Sequence, residues 1–414
     1  MQNRTRFLEG FTEPRWVALW AAMLGFLLDA MDVLFYLFAL QSIRAEFGMS
    51  LADAGLVTAA TMAASSIGGI GCGWLADRIG RRRALMYTIV VYSLASGASA
   101  TATGFYSLLF WRALVGIGLG GEWSAGSVLV AESWPAEHRG KAISFMQSGW
   151  ALGYMLAALI SSFVLPAFGW RVLFLVGVLP ALLTLLIRRK VREPELWRAR
   201  TDTGFGDIFR GALRWRTVVA TAIATSVLLA YWGLFGWLPG FLAGSRETGG
   251  AGMTILKSGM WVMAMQAGAY AGYLSFGVLA DRLGRKPAFR VYVIGAALLT
   301  PVYGMIPYWF GDAAGTLLLV LGPLIGFFGT GYFSLFGAML AELFPTAVRG
   351  IGQGFSYNFG RLLSAAAPYF VGAAAERVGL GMALAGNAAF FLLAAVLIGA
   401  LPETKASELG DVTG

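Results

Sequence analysis

Five ionisable side chains interrupt otherwise long apolar segments: Asp29, Asp32, Arg112, Glu122 and Arg361. Burying an ionisable group in hydrocarbon is costly, so such residues are functional candidates by default. A guanidinium stays charged at any physiological pH and meets a carboxylate with two parallel hydrogen bonds. We therefore predict that Arg361 binds a small organic anion, although the sequence also allows it to pair structurally with Asp29 or Asp32.

The aspartates are candidates for carrying a proton. Asp29 and Asp32 share one face of a helix, so their like charges favour keeping one carboxyl protonated. Glu122 is a third candidate for the same role. Arg112 either neutralises one aspartate or itself faces the anion, and the sequence leaves both possibilities open.

Other polar and aromatic residues are predicted to lie at a similar depth. Asn358 shares a helix face with Arg361 and is placed to hydrogen-bond the same ligand. The remaining candidates for solute binding are Gln147, Trp150, Tyr231, Trp232, Gln266, Tyr270 and Tyr357.

Composition identifies the medium that surrounds these residues. The chain of 414 residues is 58% hydrophobic and only 13% charged, which predicts an all-α integral membrane protein. A span of the hydrocarbon core takes about 20 mostly apolar residues. Twelve segments satisfy this length: 17–43, 52–77, 83–103, 105–130, 141–167, 171–188, 216–243, 254–280, 288–308, 313–341, 350–374 and 379–401.

A basic segment, 189–215, divides these spans six and six. It predicts an N-terminal six-helix bundle over 1–188, a cytoplasmic linker, and a C-terminal bundle with a short tail over 216–414. Placing both termini in the cytoplasm puts most of the 31 Lys and Arg residues on that side, as the positive-inside rule requires. We expect a multi-pass protein of the plasma membrane, the inner membrane if bacterial, and a monomer.

Internal repeats support the same division. Gly-Trp-Leu-Ala-Asp-Arg-Ile-Gly-Arg-Arg, starting at Gly73, recurs as Gly-Val-Leu-Ala-Asp-Arg-Leu-Gly-Arg-Lys from Gly277. A second pair runs from Glu132 to Arg139 and from Glu342 to Arg349. Both pairs occur in the same order and at the same topological place, so the halves are predicted to be pseudo-symmetric.

The sequence argues against several other classes of protein. The basic residues fall between apolar runs rather than in one patch, which argues against nucleic-acid binding. The single Cys72 and the single His138 cannot build a metal cluster, and His138 is interpreted as a solvated loop residue. We find no nucleophile motif or phosphate-binding loop, so neither an enzyme nor a cofactor is expected.

The complete Gly-x-x-x-Asp-Arg-x-Gly-Arg-Arg loop after the second span resembles the signature of the major facilitator superfamily, as does Arg112 followed by Gly116-x-Gly118-x-Gly120. The resemblance covers the whole chain and implies two bundles that rock around a central site. It also implies that charged side chains at the cytoplasmic loops form a latch. Its residues are Asp77, Arg78, Arg81, Asp281, Arg282 and Arg285, with Glu132 paired to Arg139 and Glu342 to Arg349.

Motifs typical of particular branches of the superfamily indicate the direction of transport. Asp29-Ala-Met-Asp32 resembles the paired aspartates of the sialate, lactate and aromatic-acid symporters, and the segments from Arg192 and Leu401 resemble closing motifs of sugar porters. The helix-5 proline typical of drug antiporters is missing after Gly149. The favoured interpretation is a proton-coupled importer of a small organic anion. A drug or metabolite exporter and a neutral sugar porter remain as alternatives.

Overall fold

The computed structural model describes residues 13–79, 81–134, 136–188, 205–345 and 348–404. Every regular element within these ranges is helical, with no strand, which confirms the predicted all-α class. The basic linker 189–204 lies outside the described residues, so the boundary between the halves stays a prediction.

Long helices make up the first half. Pro14 begins α1 at a position where its missing N–H costs nothing, and Gly48 ends the helix with a left-handed φ of 64°. In α5 the backbone leaves helical geometry at Gly169, where φ is 77°, so α5 contains the fifth and sixth predicted spans. The helices are α1 Pro14–Phe47, α2 Leu51–Ile79, α3 Arg81–Ser99, α4 Phe105–Ser133 and α5 Ala136–Arg188.

Helices of the second half are more often broken, and several predicted spans consist of two consecutive pieces. The helices are α6 Gly211–Phe235, α7 Leu238–Ala243, α8 Ile255–Leu283, α9 Arg285–Phe310, α10 Ala314–Thr330, α11 Phe333–Ala341, α12 Arg349–Ser364, α13 Ala367–Val378, α14 Leu380–Ala385 and α15 Ala388–Leu397. The predicted span 350–374, for example, corresponds to α12 followed by α13.

Seven helical stretches of the described residues are long and apolar enough to cross a membrane. Arg285–Gly337, with 53 residues, and Lys141–Val178, with 38, far exceed the roughly 20 residues that one crossing needs. Each of these two stretches contains residues of two consecutive predicted spans. Their length therefore reflects two neighbouring spans taken together, with helical geometry interrupted at Gly169 in one stretch and at Gly311–Ala313 in the other.

Glycines bring the helices of each half into close contact, as the glycine-rich sequence of the fourth span predicts. A methyl group on Gly120 of α4 would overlap the backbone carbonyl of Ser65 in α2. The corresponding crossing in the second half repeats this arrangement, because a methyl group on Gly326 of α10 would overlap the carbonyl of Met265 in α8. Backbone contact of this kind is how helices pack in lipid, where burial alone gives no driving force.

The two halves contact each other at the end of the molecule where α1 turns into α2. There the Glu376 carboxylate in α13 accepts a hydrogen bond of 3.0 Å from the backbone N–H of Ala52. Gln41 in α1 donates to the carbonyl of Gly240 in α7 at 3.0 Å. Helix α13 packs on α2, and α5 packs on α8. These contacts join the first and second halves on this face.

Candidate functional site

A central cavity with about 500 Å³ of empty space, open solvent included, lies between helices of both halves. Its walls come from α1 and α5 of the first half and from α6, α8, α11 and α12 of the second. The lining residues are Phe26, Gln147, Trp150, Leu228, Tyr231, Trp232, Tyr273, Phe333, Tyr357 and Arg361. A site at the interface of two repeats is where transporters of this architecture bind their solutes.

Arg361 in α12 supplies the positive charge of this central cavity. No carboxylate of the described residues forms an ion pair with its guanidinium within 4.0 Å, whereas Arg112 has such a partner. The Asp29 carboxyl, which is 4% exposed, lies within electrostatic range of Arg361. Tyr357, one helical turn before Arg361, lines the same wall. The Arg361 guanidinium is therefore placed to receive an anion from the cavity.

A second cavity, with about 350 Å³ of empty space, adjoins the first. Trp232 and Arg361 line both cavities, so these two side chains form the partition between them. The other lining residues are Val33, Tyr36, Leu37, Thr58, Thr61, Met62, Ser65, Arg112 and Leu119.

Arg112 forms a buried ion pair with Asp32. Its Nη1 lies 3.3 Å from Asp32 Oδ2, and the two side chains are 1% and 4% exposed. Ser96 donates a hydrogen bond to the other oxygen of Asp32. The guanidinium also lies over the rings of Tyr36 and Phe174, at 5.1 and 5.8 Å from their centroids. The structure thus shows Arg112 paired with an aspartate, while Arg112 also lines the second cavity.

Aromatic side chains form most of the central cavity wall. Trp150 donates its indole N–H to the Tyr231 hydroxyl at 2.6 Å, which connects α5 to α6 across the two halves. The rings of Trp150 and Trp232 meet edge to face at 6.2 Å, and Tyr231 meets Phe333 in the same way at 5.4 Å.

The structure brings together six of the residues singled out by sequence for solute binding. Three other candidates lie outside the cavity lining. Gln266 is 1% exposed in α8, Tyr270 packs partly buried against the hydrophobic core, and Asn358 donates to the carbonyl of Gly354 at 3.0 Å. The six residues that do line the central cavity are Gln147, Trp150, Tyr231, Trp232, Tyr357 and Arg361.

Four lining residues escaped the sequence analysis: Phe26, Leu228, Tyr273 and Phe333. Apolar and aromatic residues inside a span face lipid, a neighbouring helix or a cavity with no difference in local sequence. Phe26 lies three residues before Asp29, and Phe333 begins α11 at a break between two helices. Those two positions are the only sequence signals that we recognise for these residues.

The predicted latch is described only in the second half. Arg285 lies 2.6 Å from Asp281 and 3.5 Å from Glu342, and Thr404 donates to Glu342 at 2.5 Å. Arg282 is exposed on the same face. The predicted pairing of Glu342 with Arg349 is not tested. The latch and proton-coupling side chains that lie outside the described part are Asp77, Arg78, Arg81, Glu122, Glu132, Arg139 and Arg349.

Neighbouring contacts at the start of α9 hold the segment that follows the last helix. Glu403 accepts hydrogen bonds from the backbone N–H groups of Arg285 at 2.8 Å and Lys286 at 3.1 Å. A carboxylate at this position compensates the positive end of the α9 dipole. Lys286 in turn donates to the carbonyl of Leu401 at 2.6 Å. The segment after α15 is thereby fixed to the start of α9.

Comparison with known proteins identifies the family. Residues 22–275 match the Major Facilitator Superfamily, and residues 278–413 match the family described as sugar (and other) transporter. The chain is 31% identical to the cis,cis-muconate transport protein of Acinetobacter baylyi, covering 90% of this chain and 91% of the relative. It is also 31% identical to the sialic acid transporter NanX of Escherichia coli, covering 95% and 96%.

A solved structure shows the same fold. The crystal structure of a D-xylose–proton symporter superposes with a TM-score of 0.75 at 21% identity, covering 95% of this chain and 99% of the other. The family match, the relatives and the two-half helical architecture agree. The chain belongs to the major facilitator superfamily and is a multi-pass membrane transporter, not an enzyme.

Proposed function

We propose that this transporter imports a small organic anion together with protons, by alternating access of the central cavity to the two sides of the membrane. The observation that carries this proposal is Arg361, a cation in the wall of an aromatic-lined cavity without an ion-pair partner among the described residues. A buried cation without a counter-charge is unfavourable in free energy unless an anion binds beside it. Relatives named for muconate and sialic acid, both carboxylates, support the same class of solute.

Asp29 and Asp32 remain the described candidates for the coupled proton. Asp32 forms the ion pair with Arg112, and Asp29 lies within electrostatic range of Arg361. Protonating either aspartate would leave a neighbouring arginine with excess positive charge, which favours binding of an anion. Uptake of proton and anion together is therefore electrostatically consistent with the site. In this proposal both termini lie in the cytoplasm.

Binding measurements with a matched pair of arginine variants test the anion site. Full-length protein in detergent is mixed with muconate, sialate, lactate or benzoate at two pH values, and the unfolding temperature is recorded. At least one carboxylate should stabilise the wild type, and Arg361→Gln should abolish the shift. Arg377→Gln, a change at an exposed arginine of α13, should leave it intact. Equal stabilisation of wild type and Arg361→Gln would refute the anion site.

A neutral sugar porter is the second candidate, because residues 278–413 match the sugar transporter family and the fold is that of a xylose symporter. That function predicts stabilisation by xylose or glucose that does not depend on Arg361. Proteoliposomes with an imposed inward proton gradient separate import from export, since an importer accumulates its solute and an exporter depletes it.

A further inference from the structure

Gln147 in α5 presents an unused hydrogen-bond acceptor at the central cavity. Its Nε2 donates to the backbone carbonyl of Phe333 at 3.3 Å, and because a carbonyl can only accept, this contact fixes which end of the amide is the oxygen. The Oε1 atom is buried, and no described residue donates to it. The whole side chain is 5% exposed.

Two other polar groups of the cavity wall offer hydrogen-bond donors. The guanidinium of Arg361 can only donate. The Tyr231 hydroxyl accepts from Trp150, so its own hydrogen remains available to donate. Among the described lining residues, Gln147 Oε1 is the one buried polar side-chain atom without a hydrogen-bond partner. The wall therefore combines a cationic donor with one uncompensated acceptor.

A simple carboxylate cannot satisfy both groups, because an ionised carboxylate only accepts hydrogen bonds. We infer that the transported anion carries a hydroxyl or N–H group apart from its carboxylate, and that this group donates to Gln147 Oε1 while Arg361 holds the carboxylate. The inference rests on the proposed function, since it takes Arg361 as the anion site. It makes Gln147 a specificity-determining residue.

The cavity wall also restricts the body of the solute. Seven of the ten lining side chains are aromatic. A flat aromatic or conjugated ring finds faces and edges to pack against. The solute class is therefore a flat carboxylic acid with a hydroxyl or amino substituent.

Matched ligands test this inference on the full-length wild-type protein. Affinities are measured calorimetrically for benzoate, for its ortho, meta and para hydroxy derivatives, and for the methoxy derivative of each. At least one hydroxybenzoate should bind about tenfold or more tightly than benzoate, since an unmet buried acceptor costs roughly that factor. The corresponding methoxybenzoate carries its oxygen at the same ring position but has no hydrogen to donate. It should therefore bind no more tightly than benzoate.

Two glutamine variants test whether Gln147 causes the preference for hydroxybenzoate over benzoate. Gln147→Leu should reduce the ratio of hydroxybenzoate to benzoate affinity to about one while benzoate still binds. Gln266→Leu, at an equally buried glutamine outside the cavity lining, should leave the ratio unchanged. If every hydroxybenzoate binds wild type no better than benzoate, or if the preference survives Gln147→Leu, the inference is wrong while the anion site stands. If Arg361→Gln leaves benzoate binding unchanged, the proposed function itself fails.

Discussion

Arg112 in α4 and Asp32 in α1 form an ion pair of 3.3 Å that is almost completely buried. Ser96 in α3 donates to the same carboxylate, so three helices of the first half meet at Asp32. A buried pair of this kind holds its partners strongly, because removing one charge leaves the other uncompensated in a low-dielectric environment. Arg112 of this pair lines the second cavity, and Arg361 lines the same cavity.

Replacing Asp32 tests whether this pair carries the coupled proton. In Asp32→Asn the Arg112 guanidinium stays buried without its counter-charge, and we expect a loss of about 3–5 kcal/mol of stability. Combining Asp32→Asn with Arg112→Gln should recover part of that loss, which thermal unfolding in detergent measures. In proteoliposomes, proton-driven accumulation should disappear while exchange of internal for external solute persists.

Asp312→Asn is the control, since Asp312 is fully exposed beside Arg246. It should change neither stability nor accumulation. Accumulation that survives both Asp32→Asn and Asp29→Asn would show that neither aspartate carries the proton.

The glycine crossing between α2 and α4 makes a separate prediction about stability. In Gly120→Ala the added methyl group overlaps the carbonyl of Ser65, and the helices must separate. Overpacking of this kind typically costs about 1–3 kcal/mol. Gly71→Ala, in the partner helix α2 but with no atom within 4 Å of the new methyl group, should be neutral. Equal unfolding temperatures for the two variants would show that α2 and α4 accommodate the added methyl group without a loss of stability.

The contact between Glu376 and Ala52 should hold the halves together on the outer face of the proposed orientation. We expect Glu376→Ala to make the neighbouring cavity more accessible from outside, because the amino end of α2 loses its carboxylate partner. The measurement is the labelling rate of Thr58→Cys by a membrane-impermeant reagent, in a Cys72→Ser background. Thr58 lines that cavity and is 6% exposed.

Glu247→Ala serves as its control, since Glu247 is exposed in a loop of the second half. The labelling rate should rise several-fold in Glu376→Ala only. An unchanged rate would mean that the contact does not limit opening on this face.

The ion pairs of Arg285, as a proposed latch, predict the complementary effect on the face proposed to be cytoplasmic. Arg285→Gln removes a cation that contacts both Asp281 and Glu342. In inverted vesicles, labelling of Gln147→Cys in the central cavity should become several-fold faster, because the closed inner state loses its ion pairs. Arg214→Gln, an exposed change near the start of α6, should leave labelling unchanged. Equal labelling rates in the two variants would show that the ion pairs of Arg285 do not restrict opening. The basic residues of this loop would then only set the orientation of the protein in the membrane.

The sequence identified most of the groups with charge or strong polarity at the site. Arg361, Gln147 and Trp150 stood out because polar or bulky groups are unusual at mid-membrane depth. Gln266 and Asn358 met the same criterion, yet they lie outside the central cavity lining. Depth along a helix can be counted from sequence, but the direction in which a residue faces depends on the neighbours of that helix.

By itself the sequence determined the all-α membrane class, the repeat, and the family, because hydrocarbon thickness and the loop motifs act on contiguous residues. It left open which aspartate pairs with Arg112 and gave no sign that Leu228 or Tyr273 lines the central cavity. Only the tertiary structure decided these points. Asp32 and Arg112 are 80 residues apart in the chain. The Gln147 side chain is oriented by its hydrogen bond to the carbonyl of Phe333 in the other half, which leaves Oε1 without a partner among the described residues. Such relationships depend on how separate helices pack, and no local pattern of residues encodes them.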